Sequence, residues 1–191
     1  MEEYKRKFID FLLKSNALGF GDFTLKSKRE SPWFINVGDF NTALTTKVLG
    51  EAYADVLSDS NCDFDILYGI PEKGKALSVS TAIAMASKNP DLPWFSTRKD
   101  AKNYGEASNL SPEERAKAIV IGRIPKNGQS IAQLDDVLTD GGAKYEAREL
   151  LESFGNFNYP ILAIAVDRQE VDKGGRNAIR EYAYAKTNNS N

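Results

Sequence analysis

Apolar residues recur along the chain at two spacings. Tyr4, Phe8, Phe11 and Leu12 fall at i, i+4, i+7 and i+8 within residues 2–16, which is one face of a helix. Gly19 and Gly21 are expected to end it. Extended segments follow at 23–26 and 33–37, joined by a polar turn at 27–32. Asn41 or Thr42 can cap a second helix, carried to about residue 59 by Leu44, Val48, Tyr53, Val56 and Leu57. Short apolar runs at 64–68, 94–97, 119–124, 131–134 and 161–166 read as strands. Between them lie an Ala-rich helix at 76–86 and a helix with Ala143, Ala147, Leu150, Leu151 and Phe154 on one face, stopped by Gly155. Residues 98–116 are polar and hold few core positions, and Asn127-Gly128 suits a tight hairpin between its two flanking strands. A charged helix near Asn177 and a polar tail at 187–191 close the chain.

Strand and helix alternate, and several strands are continuous apolar runs, so the expected fold is α/β: a mostly parallel twisted sheet flanked by helices. Residues 1–191 read as one domain, with about 1–40 as a small N-terminal appendage.

Composition removes whole classes of chemistry. The 25 Lys+Arg against 27 Asp+Glu give a net charge of -2, which offers no electrostatic case for a nucleic-acid or membrane partner. No run approaches the ~18 apolar residues of a membrane span, and the N-terminus lacks a leader pattern. The single cysteine, Cys62, suits a reducing cytoplasm. There is no histidine. Ser-His-Asp triads, Cys-His pairs and His-ligated metals are therefore excluded. Chemistry must rest on carboxylates, lysines, arginines, tyrosines and backbone dipoles.

One stretch gathers those groups: Ile131-Ala132-Gln133-Leu134-Asp135-Asp136-Val137-Leu138-Thr139-Asp140-Gly141-Gly142-Ala143. An apolar strand ends in two acids, crosses a Thr/Gly turn and enters a helix. Ligands of open α/β sheets bind beyond the carboxyl ends of the strands. Glycines there let backbone approach an anion, and the helix N-terminus attracts one. The adjacent acids can accept hydrogen bonds from a sugar diol, while the plainer alternative is a pair of strand-end acids beside a helix cap.

This stretch resembles the phosphoribosyl-pyrophosphate (PRPP) motif of type I phosphoribosyltransferases. Other segments are similar to those of orotate phosphoribosyltransferases in particular. They are residues 23–36, with Lys26 and Phe34 across a turn; Ile70-Pro71-Glu72-Lys73-Gly74; the segment Arg98, Lys99, Lys102, Tyr104, Glu106; and Asp167-Arg168-Gln169-Glu170. Together they run in order from residue 23 to 170.

The resemblance implies the type I phosphoribosyltransferase fold with residues 1–40 as a hood and 98–116 as a mobile catalytic loop. It implies transfer of the phosphoribosyl group of PRPP to orotate, with Mg²⁺ held mainly by PRPP and water. Lys102, Lys99, Asp135 and Asp136 are its implied catalytic residues. Lys26, Lys73 and Arg98 would supply positive charge to the pyrophosphate, with Tyr104 and Glu106 beside it in the loop. Thr139, Asp140, Gly141, Gly142 and Ala143 would hold the 5′-phosphate or the base edge. Arg168 would meet an orotate carboxylate or carbonyl, and Phe34 the pyrimidine face. A homodimer is implied, with loop 98–110 reaching the partner's site. Tyr104 stands where the family usually has histidine, so stabilisation of the leaving group leans on Lys99 and Lys102. The double glycine at 141–142 also occurs in purine-type relatives, so another nucleobase is one alternative. A non-catalytic PRPP- or nucleotide-binding protein on the same fold is the other.

Overall fold

The computed structural model describes residues 2–25, 29–98, 110–138 and 141–169, together with 171, 175, 177, 179, 180 and 182. Helix α1 (Glu3–Lys14) buries Leu12 and stacks Phe11 on Phe40 with ring centres 4.8 Å apart. It ends at Asn16, which takes a left-handed φ of 58°. Gly19 and Gly21 instead lie inside strand β1 (Leu18–Thr24), which pairs antiparallel with β2 (Glu30–Ile35) as a separate two-stranded sheet. The expected strands of the appendage are thus present, but β1 starts several residues earlier.

Helix α2 (Ala43–Asp59) starts on a capping box between Thr42 and Thr45, which satisfies two otherwise orphaned N–H groups. Its buried residues are Leu49, Gly50, Tyr53 and Leu57, whereas Leu44 is 70% exposed. The apolar face is therefore set one position later than the spacing from Leu44 and Val48 implies.

The main sheet has five strands in the order β5-β4-β3-β6-β7. Strands β3 (Ile66–Gly69), β4 (Trp94–Thr97), β6 (Ser130–Leu138) and β7 (Asn158–Asp167) run parallel, and the edge strand β5 (Val120–Gly122) is antiparallel to β4. Since β5 pairs with β4 and β6 with β3 and β7, Asn127-Gly128 does not close a hairpin between β5 and β6. Gly128 still turns with φ 84°, but its N–H donates to the carbonyl of Asn156 in the loop ahead of β7.

Strand alternation divides the core. Leu67, Ala132, Leu134 and Ala163 join α1, α2 and α3 (Gly74–Met85) on one face, while Ile66, Tyr68 and Ile131 join α5 (Gly142–Glu152) on the other. Helix α4 (Pro112–Ile119) occupies the end of the segment expected to be a polar loop. Ser111 and Glu114 form its capping box and Pro112 opens it, a start signal the charged composition obscures. The Arg115 guanidinium donates to the carbonyl of Ser153 at the end of α5.

Candidate active site

From β3 the chain turns through α3 toward β4, and from the adjacent β6 it turns through α5 toward β7. These crossovers lie on opposite faces of the sheet, so the carboxyl ends of β3 and β6 form a topological switch point, the usual place for a ligand in open α/β sheets. Strand β3 stops at Gly69, opposite Leu134, but β6 continues to Leu138 against β7 alone. Asp135 and Asp136 therefore lie within the strand, just past the point where its neighbour has turned away.

The turn after β3 is possible because two glycines meet. A Cβ on Gly69 would fall 1.9 Å from the Gly74 carbonyl oxygen, and one on Gly74 would fall 2.7 Å from that of Leu134. The Ser96 hydroxyl donates to the Gly69 carbonyl at 2.7 Å, and the Ile70 N–H to that of Leu134 at 3.0 Å. This packing presents Lys73 at the start of α3. Its ammonium lies 2.9 Å from Asp136 Oδ2. Arg98, exposed, follows the end of β4 on the same edge of the sheet.

Successive residues of a strand face opposite ways. Asp136 thus meets Lys73 from α3, while Asp135 meets Lys144 from α5, Oδ2 to Nζ at 2.6 Å. Each acid also uses Oδ1 to accept from the next backbone N–H: Asp136 N–H at 2.8 Å and Val137 N–H at 2.7 Å. The Tyr53 hydroxyl, reaching from α2, donates to the Asp135 carbonyl at 2.6 Å. Burial pushes the Asp135 carboxyl above its ordinary value while the Lys144 ammonium pulls it down. Burial and the two acids raise the Tyr53 phenol well above its usual range, so it stays a donor.

Gly141 precedes α5 with φ 80°, a left-handed conformation suited to glycine. Gly142 and Ala143, both exposed, form the first turn of α5 at its positive end. The inward residue of that turn is Lys144, on one stripe with Ala147 and Leu151, and not Ala143 as the apolar spacing implied.

Arg168 follows β7 and places its guanidinium over the Trp33 ring, its Cζ 4.4 Å from the centroid. Its Nη2 donates to the Trp33 carbonyl at 3.3 Å and to Ser31 Oγ at 3.4 Å. Arg168 thereby ties the β1–β2 appendage to the sheet. Phe34 projects from the other side of β2, 41% exposed, with its ring 5.6 Å from that of Phe23. So Trp33, and not Phe34, meets Arg168.

Of the candidate residues, the structure brings Asp135, Asp136 and Lys73 together and sets Gly141, Gly142 and Ala143 at the start of α5. Lys26, Lys99, Lys102, Tyr104, Glu106, Thr139 and Asp140 lie outside the described residues. Sequence reasoning missed Lys144, Tyr53 and Trp33. Lys144 had a readable signal: a lysine three and seven positions before apolar residues of one helix stripe.

No protein-family model matches the chain. It is 41% identical over 182 residues to the orotate phosphoribosyltransferases of Vibrio atlanticus and Klebsiella pneumoniae, covering 95% of this chain and 79% of each relative. The crystal structure of the Francisella tularensis orotate phosphoribosyltransferase superposes with a TM-score of 0.76 at 30% identity, over 95% of this chain and 81% of that one. With that identity over nearly its whole length, and an acid pair at the switch point of the shared fold, the chain belongs to the orotate phosphoribosyltransferase family.

Proposed function

We propose that the protein transfers the 5-phosphoribosyl group of PRPP to orotate, forming orotidine 5′-monophosphate and pyrophosphate in pyrimidine biosynthesis. One observation carries the reading: adjacent carboxylates at the switch point, one of them on a solvent-accessible lysine at the mouth of an anion-attracting helix, in a chain of this family.

As the bond to pyrophosphate breaks, the ribosyl carbon gains oxocarbenium character and negative charge collects on the leaving group. The protein's task is to hold the partners in line and offset that charge, which needs no histidine. Asp136 accepts hydrogen bonds from the ribose diol, with Asp135 behind it. Lys73 exchanges Asp136 for the pyrophosphate, beside Arg98 and the N-terminus of α3. Lys26, Lys99 and Lys102 add positive charge, and Tyr104 and Glu106 add hydrogen-bonding groups. The turn holding Thr139, Asp140, Gly141, Gly142 and Ala143 takes the 5′-phosphate. Arg168, steadied on Trp33, meets orotate, and Phe34 contributes from the same hairpin.

The residues present fit a Mg²⁺ that would be held mainly by PRPP and water, since that ion dehydrates reluctantly. Among the described residues no three carboxylate or thiol side chains converge on a metal site. When bound, the ion offsets charge on the pyrophosphate. The active form in this reading is a cytoplasmic homodimer, with loop 98–110 of each chain serving the other's site.

The test is turnover. Protein, PRPP and Mg²⁺ are mixed with orotate, uracil, adenine or hypoxanthine, and base consumption and pyrophosphate release are followed. Orotate alone should react. Turnover only with a purine overturns the choice of base, and PRPP binding without turnover on any base overturns the enzyme reading.

A further inference from the structure

The two ion pairs of the acid stretch look alike in pattern but differ in setting. The side chains of Lys73 and Asp136 are 51% and 15% exposed, and those of Lys144 and Asp135 are 5% and 8%. The first pair can exchange with a ligand. The second is sealed between β6 and α5. Lys144 also donates to the Val137 carbonyl at 2.6 Å, so a single ammonium grips residues 135 and 137, the two neighbours of Asp136. Tyr53 holds the Asp135 carbonyl from the opposite layer. The backbone at Asp136 is thereby fixed on both sides, although no group in the bracket touches the ligand face of that residue.

We propose that Lys144 is a positioning residue for Asp136: its bridge from the Asp135 carboxylate to the Val137 carbonyl sets the geometry with which Asp136 meets the ribose diol. Asp135 then serves mainly as the anchor of that bridge, because its cation is sealed inside the protein, whereas the Lys73 that holds Asp136 is open to solvent. The assignment rests on the reading of Asp136 as the ribose ligand. A buried lysine with two short acceptors has little freedom to shift, and a displacement of Asp136 by an ångström is felt in binding and rate.

Three variants test it: Lys144→Met, Lys144→Arg and the double variant Asp135→Asn/Lys144→Met, which avoids leaving a buried carboxylate without a cation. Both methionine variants should raise KM and the dissociation constant for PRPP at least about tenfold, with orotate KM within about twofold of the parent. The arginine variant should recover most of the PRPP affinity, because it keeps a cation and several donors. A merely structural lysine would lower the melting temperature and depress both substrates alike. If the single methionine variant does not fold, the double variant is read in its place. Parental PRPP affinity in a folded methionine variant, or equal losses for PRPP and orotate, overturns the proposal. PRPP affinity is measured by calorimetry as well as kinetics, so absence of orotate turnover in the parent would strike the functional reading and leave the Lys144 comparison intact.

Discussion

At the scale of single residues, the site separates charges that compensate each other permanently from charges that do so only until a ligand arrives. In the proposed mechanism Lys73 belongs to the second kind. Lys73→Met should raise the PRPP KM about tenfold or more in steady-state assays, because the pyrophosphate loses a cation, and should leave the fold unaltered by circular dichroism. Its effect on stability should stay within about 1 kcal/mol, as for other solvent-exposed ion pairs. Lys102 presents the complementary case in the proposed mechanism, acting on charge that develops as the bond breaks. Lys102→Ala should lower kcat at least about a hundredfold with a much smaller change in PRPP affinity. An unchanged kcat removes that loop from the mechanism.

At the scale of elements, the loop that presents Lys73 depends on two backbones in contact. Gly69→Ala places a methyl against the Gly74 carbonyl, so β3 and α3 must separate. The expected cost is about 2–4 kcal/mol in urea unfolding, accompanied by loss of PRPP binding. Gly128 is the comparison: a Cβ there meets nothing within 4 Å, and only its φ of 84° is unfavourable, so Gly128→Ala should cost about 1 kcal/mol and leave binding alone. The same contrast explains what could be read from sequence. Apolar runs marked β3, β4, β6 and β7, since buried parallel strands need continuous apolar residues. The acids and Gly-Gly mark the candidate site because their chemistry is local. Pairing is not local: Asn127-Gly128 has the composition of a hairpin turn, yet β5 pairs across β4 and leaves it no partner to close on. Apolar spacing alone favours Ala143 as the inward residue, because a charged side chain at a core position is the rarer case; only the register of Lys144 with Ala147 and Leu151 hints at it.

At the scale of the whole molecule, the hairpin of β1 and β2 and the end of β7 are far apart in sequence and joined through Arg168. Arg168→Lys keeps the charge but loses the guanidinium that lies over Trp33. Orotate KM should rise about tenfold while PRPP KM stays within about twofold, because the acid pair and Lys73 are untouched. Equal losses for both substrates would show that the appendage governs the entire site. The proposed exchange at the pair of Lys73 and Asp136 also bears on inhibitor chemistry. Since the ligand-free protein neutralises itself there, a small anion that captures Lys73 strands a carboxylate, and a small diol that captures Asp136 strands an ammonium. Either fragment alone must bind against that loss, whereas one molecule carrying both groups relieves it. Affinities of such fragments should therefore fall short of additivity when measured singly and exceed it when linked, so screens of small pieces will undervalue this site.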